Sequence, residues 1–322
     1  MDWEKNKYTH ADVVIVVPVK NESKYIQECV DSLIIAARGK AEIVIIDDGS
    51  NDDTCKILSI FGDRISLIQT RGIGPSACRN LVIDHTDKPL VAFTDGDCVV
   101  DAFWLDSLLA VLESEKYDCV GVGGLQSISL KASWNEKWNG QILEALSFVS
   151  DYLHHEGEIR RVHHNPTCNS LYETEALRRV GGFDEKLWPC EDLDLDMKIS
   201  KDGGKLYVTP YAKVVHRRPE TFISFCKMMS RYGKAHGKLA KKHKTLQMTG
   251  WISIFLFLPT LGLCLAGLGF QIFLFWLVSV IALSMLFVIR RRKVVFFLAG
   301  PYFLVPFFLW NLQFYRSILT RS

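Results

Sequence analysis

The chain has 322 residues, with 38 Lys and Arg against 36 Asp and Glu and a formal net charge of +2. That balance gives no case for a nucleic-acid partner, and the length suits two domains. The nine cysteines form no paired metal-type spacing, and in a cytoplasmic domain they are expected to be reduced.

Met1 to His10 is polar, so no cleavable signal peptide is expected. Ala11 to Val17 is a near-continuous, valine-rich apolar run ending at Pro18, the pattern of a buried parallel-type strand. Ser23 opens a stretch in which Ile26, Cys29, Val30, Leu33 and Ile34 recur at helical spacing. Glu42 to Ile46 reads as the second strand, and Asp53 and Thr54 cap or start a helix through Leu58. Ile65 to Gln69 is a third strand, and a helix over Gly74 to Ile83 starts near Pro75. Leu90-Val91-Ala92-Phe93 is the fourth strand. Strands alternating with helices imply a parallel α/β sheet covered on both faces.

Polar clusters follow three of these strands. They are Pro18-Val19-Lys20-Asn21-Glu22, Asp47-Asp48-Gly49-Ser50 and Thr94-Asp95-Gly96-Asp97. The C-terminal strand ends of open α/β sheets are where ligands bind, and carboxylates there can accept hydrogen bonds from a base or ribose. Asp95 and Asp97 also suit Mg2+ or Mn2+, which takes one or two protein carboxylates and leaves other positions for water and phosphate oxygens. A solvated Asp-Gly-Asp turn is the other reading of that pair.

From Lys131 to His164, Trp134, Trp138, Ile142, Leu146 and Val149 recur at three- and four-residue spacing and predict an amphipathic helix. Its tryptophans suit either a core or a bilayer surface. His154-His155 and His163-His164 suggest a metal site or, without further ligands, solvated or acceptor-loop histidines. Glu191-Asp192 opens an acidic stretch in which Leu193, Leu195, Met197 and Ile199 can pack. It is readable as a helix start or as a carboxylate placed to deprotonate a hydroxyl.

Thr245 to Ile289 and Val294 to Tyr315 contain no charged residue. A spanning helix needs about 20 mostly apolar residues, so spans are expected near 250–268, 270–289 and 294–315. The last contains Gly300-Pro301 and Pro306 and either crosses, kinks or re-enters. Lys234, Lys238, Lys241, Lys242 and Lys244 precede the first span, and Arg290-Arg291-Arg292-Lys293 follow the second. The positive-inside rule puts both clusters, and the amino-terminal part, on the cytoplasmic face of the cell membrane.

The ordered set of motifs resembles the family 2 glycosyltransferases of GT-A fold. It consists of Val17-Pro18 with Asn21-Glu22, Ile46-Asp47-Asp48-Gly49-Ser50 with Asp53-Thr54, Gly74 with Ala77, Arg79 and Asn80, and Asp95-Gly96-Asp97. Downstream, Cys168-Asn169-Ser170-Leu171, Val180-Gly181-Gly182-Phe183-Asp184-Glu185 and Glu191-Asp192-Leu193-Asp194-Leu195 continue it over roughly residues 11 to 235. The resemblance implies a GT-A nucleotide-diphospho-sugar transferase fold, Rossmann-like and mainly parallel with helices on both faces, over 1–235. An α-helical transmembrane region over 236–322 is expected to follow.

It also implies roles. The donor is a UDP- or GDP-sugar, with Pro18, Glu22, Asp47 or Asp48, Arg79 and Asp95 toward base and ribose. Mg2+ or Mn2+ would be held by Asp97, with Asp95 and His216. Asp192 would be the general base of an inverting transfer, Glu191 would sit beside it, and Asn169 and Gly182 would face the acceptor. Met228-Met229-Ser230-Arg231-Tyr232 stands where processive synthases carry Gln-x-x-Arg-Trp. Arg231 is kept for diphosphate, while the missing glutamine and tryptophan favour addition of one sugar. The expected acceptor is a lipid-linked glycan at the bilayer, in polysaccharide or glycoprotein glycan assembly. A polyprenyl-phosphate monosaccharide synthase and a non-catalytic nucleotide-sugar-binding scaffold are the alternatives.

Overall fold

The computed structural model describes residues 7–145, 157–246, 259–260, 263, 266–291 and 297–320. The chain divides into two compact units, Met1–Ala132 with Ser150–Arg217, and Ser133–Val149 with Arg218–Ser322.

The first unit is built on a nine-stranded sheet. Its strands are β1 (Val13–Val19), β2 (Glu42–Asp47), β3 (Ser66–Gln69), β4 (Leu90–Phe93), β5 (Cys98–Val100), β6 (Gly121–Ser127), β7 (Arg160–Val162), β8 (Ser170–Glu173) and β9 (Leu206–His216). The order is β3-β2-β1-β4-β8-β6-β9-β5, with β7 also paired to β9. The strands β3-β2-β1-β4 are parallel neighbours, so their C-terminal ends, and the three polar clusters, share one sheet edge. Beyond β4 the sheet is mixed. β8 runs antiparallel to both β4 and β6, β6 runs parallel to β9, and β5 and β7 are antiparallel to β9. Followed through these pairings, β1, β2, β3, β4, β6 and β9 point one way and β5, β7 and β8 the other, so the sheet is mainly parallel in direction, as expected, with antiparallel pairs only at β5, β7 and β8. The later strands do not follow the regular strand–helix alternation that forces parallel pairing.

β1 extends through Pro18 to Val19. Pairing with β4 covers Val13 to Val16 only, so Pro18 lies past that ladder and its missing N–H breaks no bond to β4. Alternate β1 side chains point to opposite faces. Val13, Ile15, Val17 and Val19 join one core with residues of α1 (Ile26–Ala37), α2 (Thr54–Ser59) and α4 (Trp104–Leu112). Val14 and Val16 join a second core with α3 (Pro75–His85), α6 (Thr174–Arg179) and α7 (Glu191–Lys201). The helices thus cover both faces, as expected.

The second unit contains α5 (Trp134–Ala145), α8 (Phe222–His243), α9 (Gly269–Arg291) and α10 (Ala299–Leu319). α8 runs through position 235, at which the sequence motifs end. Trp138 and Ile142 of α5 are buried with Phe225, Met229, Phe303, Trp310 and Phe314, whereas Trp134 stands exposed and stacks on Trp138 at 5.4 Å. Leu146, Val149, His154 and His155 lie outside the described residues. α8 approaches α10 closely, because a Cβ on Gly233 would collide with the Trp310 backbone and one on Gly237 with Phe314 and Ser317.

Among the described residues no helix is long and apolar enough to cross a membrane, so the expected three spans are not met there. The stretch 250–268 falls mostly outside the described residues.

Candidate active site

The loops after β1 and β2 are tied together by short polar bonds. Asn21, in the left-handed region at φ 59°, donates its N–H to Ser50 Oγ at 2.9 Å and accepts from the Asn51 N–H at 2.7 Å. Glu22 N–H donates to Thr54 Oγ1 at 2.8 Å. Asp47 and Asp48 are both buried. Asp47 accepts from the Ser50 N–H at 3.0 Å. Asp48 accepts from Thr70 Oγ1 and from the N–H groups of Ile73 and Gly74, at 2.5, 2.7 and 2.9 Å. Burial acts upward on the Asp48 pKa, but the Thr70 hydroxyl and the two N–H donors outweigh it and hold the group ionised below its usual range. Asp48 therefore organises the loop between β3 and α3.

The Asp95-Gly96-Asp97 turn follows β4. A Cβ on Gly96 would meet Val19 Cγ1 at 2.7 Å and Glu22 Cγ at 3.2 Å, so only glycine lets the turn lie against the end of β1. Asp97 Oδ1 lies 3.5 Å from His216 Nε2, while His216 Nδ1 faces Gln126 Oε1 at 3.3 Å. If Gln126 accepts from Nδ1–H, the Nε2 lone pair points at a carboxylate, an arrangement that a cation between them satisfies. Ligand atoms of Asp95, Asp97, Cys98 and His216 all lie within 4.8 Å of one another. Two carboxylates and one imidazole suit a divalent cation. Glu22 stands in the same acidic field. Burial, then Asp97 and Asp95, push its carboxyl up to about 8.

Arg79, on α3, is 3% exposed and joins two motifs. Its Nη2 donates to Asp95 Oδ1 at 2.9 Å and its Nη1 to Glu191 Oε1 at 2.8 Å, with the guanidinium 5.5 Å from the Phe183 ring centre. Glu191 opens α7 and is buried. Burial raises its pKa to about 7, with Arg79 pulling down and Asp192 pushing up. Asp192, one residue on, is partly exposed, with Oδ2 3.8 Å from His164 Nε2. The other ring nitrogen of His164, Nδ1, lies 2.8 Å from Asp196 Oδ2. Asp196 is fully buried and also accepts from the Asn165 N–H at 2.6 Å and from Tyr172 Oη at 2.8 Å. Burial alone would lower the His164 pKa, but Asp192 and Asp196 lift it to about 8.

Several sequence-assigned residues take other places. Arg79, expected at the nucleotide, is a buried bridge with both terminal nitrogens bound to carboxylates. Asn169, expected at the acceptor, is fully buried. It accepts from Trp104 Nε1 at 2.8 Å and donates to the carbonyls of Leu125 and Ala212 at 2.9 and 3.1 Å, so its amide staples β6, β9 and α4. Gly182, at φ 62°, lets the backbone pass Asn80, where a Cβ would lie 2.5 Å from Oδ1. Asn80 accepts from the Phe183 N–H at 2.8 Å and donates to its carbonyl at 2.9 Å. Arg231 lies on α8, in the second unit. Pro18, Glu22, Asp47, Asp95 and Asp97 all stand at the shared strand-end edge. Sequence reasoning missed the Asp192–His164–Asp196 chain and Gln126. His164 reads there as one of two loop histidines, and no spacing rule links it to α7.

A parallel four-strand start, an Asp-Gly-Asp turn at its edge and an acidic helix reached through one arginine define a mixed α/β fold of the nucleotide-sugar transferase type. Residues 14–181, just over half the chain, match the family described as Glycosyl transferase family 2, and the chain belongs to that family. It is 28% identical over 243 residues to the pre-mycofactocin glycosyltransferase of Mycobacterium tuberculosis, covering 73% of this chain and 49% of the relative. It is 22% identical over 263 residues to the succinoglycan biosynthesis protein ExoA of Rhizobium meliloti, covering 75% and 74%. The chain spans about half the length of the first of these relatives. Among solved structures, the Pyrobaculum calidifontis mannosyltransferase PcManGT in complex with GDP-Man and Mn2+ matches at TM-score 0.53 and 18% identity, covering 71% of this chain and 64% of that chain. TarS of S. aureus matches at TM-score 0.51 and 16% identity, covering 75% and 45%. These two likenesses are of fold.

Proposed function

We propose that the chain is an inverting, metal-dependent glycosyltransferase that moves one sugar from a UDP- or GDP-sugar to an acceptor held at a membrane. The observation that carries this reading is the Arg79 bridge, which joins Asp95 of the Asp-Gly-Asp turn to Glu191 beside Asp192. This bridge supports reading the donor-side and acceptor-side carboxylates as parts of one site.

Asp97, Asp95 and His216 would hold Mg2+ or Mn2+. Such a cation, when bound, offsets charge developing on a diphosphate leaving group. The base and ribose would lie along Pro18, Glu22 and Asp47, over the loop that Asp48 braces. Asp192 takes the proton from the acceptor hydroxyl. The freed oxygen bonds to the anomeric carbon from the side opposite the leaving group, the bond from that carbon to the diphosphate breaks, and configuration inverts. Glu191, buried behind Arg79, orients rather than deprotonates. His164 holds Asp192 from behind, itself oriented by Asp196, as a positioning residue.

The membrane part of the proposal is supported by the uncharged runs from Thr245 to Ile289 and from Val294 to Tyr315. It is also supported by exposed apolar side chains on the second unit, Leu277, Val278, Ile281, Met285 and Ile289 on α9 and Val305, Phe308 and Leu312 on α10. The basic clusters around these runs would place the first unit on the cytoplasmic face. A lipid-linked glycan is the acceptor such an arrangement suits.

The test is to incubate membranes containing the chain with labelled UDP- and GDP-sugars, Mn2+ or Mg2+, and candidate lipids. Label on a preassembled lipid-linked glycan supports the proposal. Label on a mild-acid-labile monosaccharide lipid replaces it with a polyprenyl-phosphate synthase. Absence of metal-dependent transfer with every pair overturns it in favour of a binding scaffold.

A further inference from the structure

Two cysteines and a histidine from three separate segments meet beside the Asp-Gly-Asp turn. Sulfurs of Cys98 and Cys168 and a ring nitrogen of His216 lie within 4.8 Å of one another. Cys98 opens β5 and His216 closes β9, and the two are direct partners in that antiparallel pair, so their side chains leave the same face. Cys168 lies just before β8, with its carbonyl held by Thr94 Oγ1 at 2.9 Å. Both cysteines are buried, and His216 is partly exposed. None of the described cysteines is in a disulfide.

This set differs in chemistry from Asp95 and Asp97. Thiolates are soft ligands that select zinc-class cations over magnesium or manganese. With Zn–S near 2.3 Å, tetrahedral ligands stand about 3.8 Å apart, so ligand atoms within 4.8 Å of one another need draw in by about 1 Å at most. The Cys98 thiol donates to Asp97 Oδ1 at 3.7 Å, which puts a carboxylate at the fourth position. An Nδ1–H donated to Gln126 Oε1 would make Nε2, which faces Asp97 at 3.5 Å, the ring nitrogen that ligates the ion.

We propose that Cys98, Cys168 and His216 form a binding site for a thiophilic divalent cation of the zinc class, different in ligand chemistry from the Asp95–Asp97 pole but sharing His216 and Asp97 with it. Binding releases the two thiol protons to solvent. A zinc ion there withdraws His216 from the hard-ion site, so the two occupancies exclude each other. That exclusion, unlike the site itself, rests on the metal assignment made under the proposed function.

The test uses the purified full chain with no nucleotide-sugar and Co2+ as an optical stand-in. The expected result is a near-ultraviolet thiolate-to-cobalt band that saturates at one equivalent, is displaced by Zn2+, and is lost in both Cys98→Ser and Cys168→Ser. No band, or a band kept in both variants, overturns the site. X-ray absorption at the zinc edge of the unaltered chain needs no variant. Two sulfur ligands at about 2.3 Å are expected, and a shell of nitrogen and oxygen alone overturns it. Mn2+ paramagnetic resonance reads the sharing. Zn2+ should release bound Mn2+, and coexistence of both ions overturns the sharing. A chain that never binds Mn2+ refutes the hard-ion reading and leaves the cobalt result standing.

Discussion

Arg79 Nη1 lies 2.8 Å from Glu191 Oε1, a buried pair formed across 112 positions of sequence. The second terminal nitrogen of the same guanidinium reaches Asp95. The bridge sets the start of α7, and with it Asp192, relative to the turn after β4. Its planar fork is what lets one side chain serve two carboxylates at once.

Arg79→Met strands Glu191 in the interior and should cost about 3–5 kcal/mol. Arg79→Lys should rescue little, because an ammonium lacks the fork. Urea unfolding of both variants, with Arg79→Met/Glu191→Met as the cycle partner, measures this. A loss for Arg79→Met below about 1 kcal/mol would contradict a buried, paired charge.

Asp192→Asn keeps the size of the side chain but cannot take a proton. Turnover should fall by roughly 100-fold or more, while nucleotide binding, followed by calorimetry, stays nearly unchanged. Turnover equal to that of the unaltered chain would remove Asp192 from the role of base.

Asp97→Ala deletes the carboxylate nearest His216. Nucleotide-diphosphate affinity should lose its dependence on added Mn2+, read by titration with and without the ion. Retained dependence would move the cation elsewhere.

His164 has its pKa raised from 6.5 to about 8 in the folded chain. A raised basic group stabilises the fold fully below about pH 6.5, and that contribution is lost as pH rises through about 8. Unfolding measured at pH 6 and pH 9 should therefore show a decline, on the order of 1–2 kcal/mol, that His164→Gln lacks. Parallel curves for the two chains would show that Asp192 and Asp196 do not hold the proton.

Gly237→Leu places a side chain where α8 meets Phe314 and Ser317. Overpacking of this kind costs about 1–3 kcal/mol, read as a lower thermal midpoint for the second unit. An unchanged midpoint would mean that α8 and α10 can separate freely.

What was legible in the sequence follows from local pattern. The valine run of β1, the apolar runs of β2 and β4, Pro75 at the start of α3, and the carboxylates just past each strand all depend on residues near one another in the chain. Period, strand-end position and ligand chemistry therefore sufficed to read them. The mixed half of the sheet was not legible, because the direction of β8 is set by pairing with β4 and β6 rather than by its own four residues. Asn169 and Gly182 read as acceptor residues, yet one is a buried staple and the other a close passage past Asn80, and only packing separates those uses.

By itself, then, the sequence determined the first four strands and the carboxylate-bearing loops at their ends. The tertiary structure alone decided which distant groups meet: Arg79 with Glu191, His164 between Asp192 and Asp196, and Cys98 opposite His216 beside Cys168. The physical reason is that these are contacts through space. They are created by sheet register and burial, and a pattern of neighbours along the chain carries no record of either.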